Sequence, residues 1–286
     1  MPASNYLFRG LFLLLLHFTF STTYSQVKEA TDSIMQEGLF LYRLEKASWH
    51  GTDLFLEKYT DRNNIGGYFS YMEKDKATCI FFSRTNEPQV VGTVRFDTTF
   101  NLQTATVDLT PRGFTRDEKD LYSLRKAAYQ LVNQDSLFVY YKDTRFNLIP
   151  MIHNGHRKAY VLTATQKPGV VLLGNDYLVY FDPENQLKRK KKLHRNIIEL
   201  QTSTVDSTRQ SFGAIHTHLP ETGEFITATD ICTLLLYKDF ADWKQHIVVS
   251  ENYMSILNLE SINLVILPKE VIERIEKDQK KRRNKQ

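Results

Sequence analysis

Two histidines and one aspartate, His216, His218 and Asp230, are the residues whose types and spacing best suit chemistry. The histidines stand two positions apart after an apolar run, and residues i and i+2 of a β-strand point to the same face. A polar loop follows, and Thr227 to Asp230 then opens an apolar helix, which would present the aspartate to both imidazoles. Imidazoles and carboxylates are zinc ligands, so this stretch predicts a metal site formed by His216, His218 and Asp230.

Zinc held by three protein ligands keeps one position open, where it lowers the pKa of a bound water and polarises a carbonyl. The hydroxyl of Thr227 is a candidate catalytic donor to a developing oxyanion. His194 is either an additional ligand or a surface histidine beside the basic run 188–192. His153 and His156 flank a turn, and we expect both to be exposed to solvent.

The same stretch also permits an interpretation without metal. Thr227 followed three residues later by Asp230 matches a capping box, in which the carboxylate accepts a hydrogen bond from the N-cap amide. Ile226 and Ile231 would then form the hydrophobic staple around this helix start. On this alternative the histidines are structural, and the chain is a non-catalytic envelope or interaction protein.

The order His216-Thr-His218-Leu-Pro, followed by Thr227-Ala-Thr-Asp230, resembles the signature of the JAB/MPN metalloproteases. In that family a strand ends in His-x-His-Pro, and Ser-x-x-Asp opens the next helix. The resemblance implies a mixed α/β unit in which His216, His218 and Asp230 bind zinc and Thr227 takes the place of the family's serine. An active site of this kind hydrolyses an amide or isopeptide bond.

The sequence departs from that family in two ways that bear on activity. Leu219 separates the second histidine from the proline, and the stretch comparable to the family's catalytic glutamate, 160–173, contains no acidic residue. A zinc site without a base moves protons poorly, so it would be catalytically degenerate. The motifs at 174–177, 216–218 and 229–232 also resemble a group of exported Bacteroidota proteins without an assigned activity.

The patterning predicts an α+β fold with two main regions, 26–150 and 151–267, and a polar basic tail, 268–286. In the first region we expect a helix over 31–46 capped by Thr31 or Asp32, then an antiparallel meander over 66–109. A helix over 115–133, opened by a capping box, would pack on the meander. The second region is the predicted JAB-like unit. Within it, Gly174 to Asp176 predicts a hairpin or a bent strand.

The first 25 residues have the composition of a signal peptide. Arg9 precedes a short apolar run over 11–20, and Ser25 is a suitable cleavage position. Ten apolar residues fall short of the roughly 20 that a membrane span needs. The Ser-Gln junction resembles signal peptides of Bacteroidota proteins. We therefore expect a periplasmic or extracellular protein that has no membrane span after cleavage.

The composition and the charge distribution limit the class of partner that we expect. With 42% hydrophobic residues the chain can build a core, and its net charge of +4 is concentrated at 188–192 and 277–285. A nucleic-acid protein would need a broad basic face, so we expect an unidentified protein or peptide partner, with the oligomeric state open. The basic run 188–192 is typical of a solvated turn or helix face. Cys79 and Cys232 either pair or, as we favour, are separate buried thiols.

Overall fold

The computed structural model describes residues 4–153, 155–202 and 213–284, with side chains described from residue 25 onward. The described part is a mixture of long helices and mostly antiparallel strands, which confirms the predicted α+β class. In chain order, its helices and strands are α1 (Ser4–Lys58), β1 (Ile65–Glu73), β2 (Lys76–Ser83), β3 (Val90–Arg95), β4 (Thr106–Asp108), α2 (Arg116–Gln134), β5 (Thr144–His153), β6 (His156–Thr165), β7 (Val170–Gly174), β8 (Tyr177–Phe181), β9 (Leu187–Lys192), β10 (Ile197–Gln201), β11 (Gly213–Thr217), α3 (Ala228–Ala241), β12 (Gln245–Val249), β13 (Tyr253–Asn258), β14 (Asn263–Pro268) and α4 (Lys269–Arg283).

Helix α1 includes the helix predicted over 31–46 but has no cap at Thr31, so that boundary was wrong. The Thr31 hydroxyl donates to the carbonyl of Val27, 2.7 Å away, which is a bond that Thr makes inside a helix. Farther along, Leu41 and Phe55 are fully buried against the rest of the protein. Within the described residues, no helix combines the length and hydropathy needed to cross a bilayer.

The predicted meander is confirmed, and β1 to β4 pair antiparallel in the order β1-β2-β3-β4. Helix α2 begins with the predicted capping box between Thr115 and Glu118. Its packing differs from the prediction, because most of its apolar stripe lies on the β5–β6 sheet. Leu124 and Ala128 pack with Leu148 of that sheet. Leu121 packs on the meander, and buried Glu118 accepts a hydrogen bond from Tyr71 of β1 at 2.9 Å. The helix therefore lies between the two sheets.

The second half of the chain contains a four-stranded sheet, β5-β6-β8-β9, and a two-stranded one, β10-β7. Strands β7 and β8 belong to different sheets, so of the two alternatives predicted at Gly174 to Asp176 the hairpin was wrong, and the chain instead bends from one sheet into the other. Gly174 has φ +93°, and a Cβ there would lie 2.3 Å from the carbonyl oxygen of Asn196. The glycine allows the chain to leave one sheet and enter the other within two residues. The basic run forms the exposed edge strand β9 rather than a turn or helix face.

The last sheet positions the predicted site. Strands β11 and β12 are parallel and are connected by α3, and β13 and β14 continue the sheet antiparallel. Such a crossover brings the carboxyl end of the first strand next to the beginning of the helix. Here Thr217 ends β11 and Ala228 begins α3.

One buried polar network joins α1 to this framework. Glu45 of α1 accepts a hydrogen bond from the amide of Asn147 on β5, and Tyr68 of β1 donates to the same Asn147 side chain, 3.2 Å away.

Cys79 and Cys232 are free and buried in different apolar clusters, as favoured from the sequence. Burial raises the pKa of the Cys79 thiol to about 12.

Close packing of α1 on α3 gives a first prediction. A Cβ on Gly38 would lie 2.7 Å from the Cβ of Ile231, which cannot move without moving α3. Gly38→Ala should therefore lower the free energy of unfolding by about 1–3 kcal/mol in urea denaturation. Gly113→Ala is the control, because nothing lies within 4 Å of its Cβ position. Equal effects of the two substitutions would contradict the packing argument.

The buried carboxyl of Glu45 gives a second prediction. Burial is the main cause that raises its pKa from 4.5 to about 7. Between these values the folded protein keeps a proton that the unfolded chain releases, so the free energy of unfolding falls as pH rises. Glu45→Gln should remove about 3 kcal/mol of the decrease in the free energy of unfolding between pH 4.5 and 8, measured by denaturation. The exposed Glu276→Gln should leave the pH profile unchanged.

Candidate metal centre

Four side chains from three separate segments of the chain meet in one buried cluster. His216 lies on β11, His218 directly follows that strand, and Asp230 lies in the first turn of α3. His194 comes from the connection between β9 and β10. Together they form the metal cluster, in which one ligand atom from each residue lies within 4.8 Å of the others. The structure thus brings together His216, His218 and Asp230, and adds His194.

The individual distances place ring nitrogens around the carboxylate. His194 Nε2 lies 3.1 Å from Asp230 Oδ1, and His218 Nε2 lies 3.5 Å from Oδ2. The Nε2 atom of His216 is 3.9 Å from Oδ1 and 3.1 Å from the Nε2 atom of His218. All four side chains are buried. This group of nitrogen and oxygen donors can hold a metal ion.

Asp230 satisfies both sequence interpretations at once, because it uses its two oxygens differently. Its Oδ2 accepts from the Thr227 amide at 2.9 Å and from the Thr227 hydroxyl at 2.8 Å, which completes the capping box. The same Oδ2 also lies 3.3 Å from His194 Nε2, whereas Oδ1, although it is fully buried, has no hydrogen-bond partner. The 3.1 Å approach of His194 to Oδ1 lacks the alignment of a hydrogen bond. Capping and metal binding are therefore compatible.

Hydrogen bonds on the far side of the rings determine which nitrogens face the cluster. The carbonyl of Phe225 can only accept, so the Nδ1–H of His218 donates to it at 2.9 Å. In neutral His218, Nε2 consequently presents a lone pair to the cluster. His216 Nδ1 lies 2.7 Å from His246 Nε2 on the neighbouring strand. Such partners orient metal-binding histidines in known sites, and His246 takes this position here.

His194 lies next to a segment that was noted from the sequence only as a motif, although its buried Nδ1 has no hydrogen-bond partner. The carboxylate oxygen Oδ2 of Asp176 lies 3.8 Å from His194 Nδ1. Asp176 is itself held by the amide of Thr163 at 2.9 Å, and its own carbonyl accepts from Leu193. Spacing along the chain gives no signal for this contact. The Gly-Asn-Asp-Tyr resemblance over 174–177 was the sequence feature that pointed to this segment.

Electrostatics in the metal cluster follow from burial and proximity. Burial alone would raise the pKa of Asp230, but His194, His218 and His216 together hold that pKa well below its ordinary range. For His194, burial lowers the pKa, and Asp230 outweighs it, so that the pKa is raised overall. Burial, assisted by His216, lowers the pKa of His246 to about 4. The carboxylate is thus ionised and His246 neutral at pH 7.

One side of the metal cluster opens into a pocket of about 240 Å³, which we call the histidine pocket. Its described lining contains one cation and no carboxylate. The lining residues are Leu173, Gly174, His194, Arg195, Asn196, Ile197, Ile198, His216, Thr217, His218, Leu219 and Thr222. Three imidazoles of the cluster therefore face space that a small molecule can enter.

Thr227, the predicted catalytic residue, lies at the cap of α3. Its hydroxyl donates to Asp230 Oδ2 and accepts from the Asp230 amide at 3.1 Å. The role that we expect for it at an oxyanion stays a prediction. His153 and His156 are exposed at the β5–β6 turn and lie apart from the metal cluster, as expected.

Two similar capping boxes allow the role of Thr227 to be tested. Thr227→Ala and Thr115→Ala each remove an N-cap, and each should destabilise the protein by about 1 kcal/mol. Only Thr227 also holds a candidate metal ligand, so Thr227→Ala should additionally weaken zinc binding severalfold in competition with a chromophoric chelator. Equal zinc affinities in the two variants would contradict the link between the cap and the cluster.

No protein-family model matches the chain, and neither a curated protein nor a solved structure shows a significant match to it. The resemblance of 216–230 to the JAB/MPN signature accordingly stays a prediction from sequence.

Proposed function

We propose that the protein binds a single zinc ion through His194, His216, His218 and Asp230, and that binding rather than hydrolysis is its function. One observation carries the proposal: three ring nitrogens and one carboxylate converge within 4.8 Å in a buried site. Neutral imidazole and carboxylate are zinc ligands, and buried groups of this kind are paired or coordinate metals.

The unpaired Oδ1 of Asp230 supports a cation at this position. A buried carboxylate oxygen without a partner is costly, about 1–3 kcal/mol or more for a charged group. The lone pair of His218 Nε2 points into the same cluster, because its Nδ1 donates to Phe225. His246 and Asp176 lie behind His216 and His194, where they would orient the ligands.

The absence of a carboxylate from the described lining of the histidine pocket favours binding over turnover. Hydrolysis requires a base within hydrogen-bond reach of the reacting water. Asp176, although its carboxyl is buried with a pKa of about 7, lies on the Nδ1 side of His194, away from the Nε2 atoms. Amide or isopeptide hydrolysis is therefore the weaker candidate. Export and a protein or peptide partner stay predictions from the sequence.

Metal analysis tests the proposal directly. The purified protein, incubated with zinc and dialysed, should retain one equivalent by plasma mass spectrometry. His194→Ala and His218→Ala should each retain far less, because each removes one of four ligands. The exposed His156→Ala is the matched control and should keep the full equivalent. Parallel loading with manganese, iron, cobalt and nickel would establish whether zinc is preferred.

Circular dichroism distinguishes loss of a ligand from loss of the fold. Variants that keep the parent spectrum and still lose zinc support the site. Retention of zinc by all three variants, or its absence from the parent protein, would refute it.

A further inference from the structure

The histidine pocket has cations on its rim as well as histidines at its base. Arg195 lines it directly. A Cβ on Gly223 would lie 4.0 Å from the ammonium of Lys191, so that this cation stands beside the loop bearing the lining residues Leu219 and Thr222. Glu221 lies 3.6 Å from Arg195, but both side chains are more than half exposed, and such pairs neutralise each other only weakly.

Two other cations of β9, Lys190 and Arg189, have separate contacts, whereas Lys188, like Lys191, has none described. Lys190 pairs with Asp135, and the guanidinium of Arg189 lies 4.4 Å from the ring centroid of Tyr180. Lys191 has no described partner of this kind. The basic run therefore does not act as one uniform surface. Its member Lys191 lies beside the loop that borders the pocket.

The charges around the pocket make it a site for anions. Zinc with one aspartate and three neutral histidines carries a net charge of +1, to which Arg195 and Lys191 add two more. The nearest further acid, Asp176, is not among the described lining residues of the pocket and lies on the Nδ1 side of His194, so it offsets this charge only in part. A cleft that is lined by cations and has apolar walls concentrates anions.

The size and walls of the pocket limit the anion. A volume of about 240 Å³ is below that of most drug-sized sites. Four apolar side chains complete the lining: Leu173, Ile197, Ile198 and Leu219. They would contact a short apolar group, while Asn196 and Thr222 supply hydrogen-bonding groups.

We propose that the histidine pocket binds a small oxyanion, a carboxylate or a phosphate, attached to a compact apolar group. This inference rests on the proposed zinc site and names the class of ligand that the site takes. Arg195 and Lys191 bind the anionic group. The apolar side chains contact the compact apolar group attached to it and so determine which ligands fit.

Calorimetric titration of the zinc-loaded protein tests this with three probes: acetate, butyrate and inorganic phosphate. Butyrate should bind roughly tenfold more tightly than acetate, because two further methylene groups are buried. Arg195→Gln and Lys191→Gln should each weaken binding of the preferred anion roughly tenfold. Lys188→Gln, which removes an exposed cation of the same strand about 10 Å away, should leave the affinity unchanged. Tighter binding of phosphate than of butyrate would identify the phosphate arm.

Zinc content measured on the same samples separates the two proposals. One equivalent of zinc with no anion binding would overturn this inference and leave the zinc site intact. Anion binding that is equal in the Arg195, Lys191 and Lys188 variants would also overturn it, because the cations of the rim would then have no part. Loss of zinc from the parent protein would instead refute the proposed function.

Discussion

The ionised carboxylate of Asp230 is the constraint on which the rest of this site depends. It is 0% exposed, and an ionised group removed from water must be paired or must coordinate a metal. The helix cap satisfies one of its oxygens through two hydrogen bonds from Thr227. The second oxygen lies 3.1 Å from His194 Nε2 and 3.9 Å from His216 Nε2 and has no hydrogen bond. The histidines keep the carboxylate ionised, and the carboxylate in turn raises the pKa of His194.

Topology explains why these groups meet. The β11-α3-β12 crossover places the end of a strand beside the start of a helix, so His216, His218 and Asp230 are brought together by one local unit. His194 reaches them only because the chain changes sheets at Gly174 and returns through β9. The carbonyl of Asn196 leaves no space for a side chain at Gly174, so the same segment that carries His194 also fixes this transition.

Sequence patterns predicted the local part of the site, left His194 open between an additional ligand and a surface residue, and did not assign Asp176 or His246 to it. The i, i+2 spacing of His216 and His218 and the capping box at Thr227 are local signals, and the structure contains both features. The meander and the α2 cap follow equally from alternation and from capping residues. The contacts of His194 with Asp230, of Asp176 with His194 and of His246 with His216 span 36, 18 and 30 positions, respectively. Strand pairing within the last sheet and packing between elements distant in sequence determine these contacts, and a single sequence contains no spacing rule for either.

If the Asp230 carboxylate is both helix cap and metal ligand, metal binding is coupled to folding. A cation that binds the folded cluster and not the unfolded chain adds its binding free energy to stability. Here that free energy acts through Asp230 on the first turn of α3, whose Ile231 is fully buried against Gly38 of α1. Helix α1 also packs on the meander, where Phe55 lies against Phe81 at a ring distance of 3.9 Å. A zinc ion at one edge of the last sheet would therefore stabilise contacts that extend to the first.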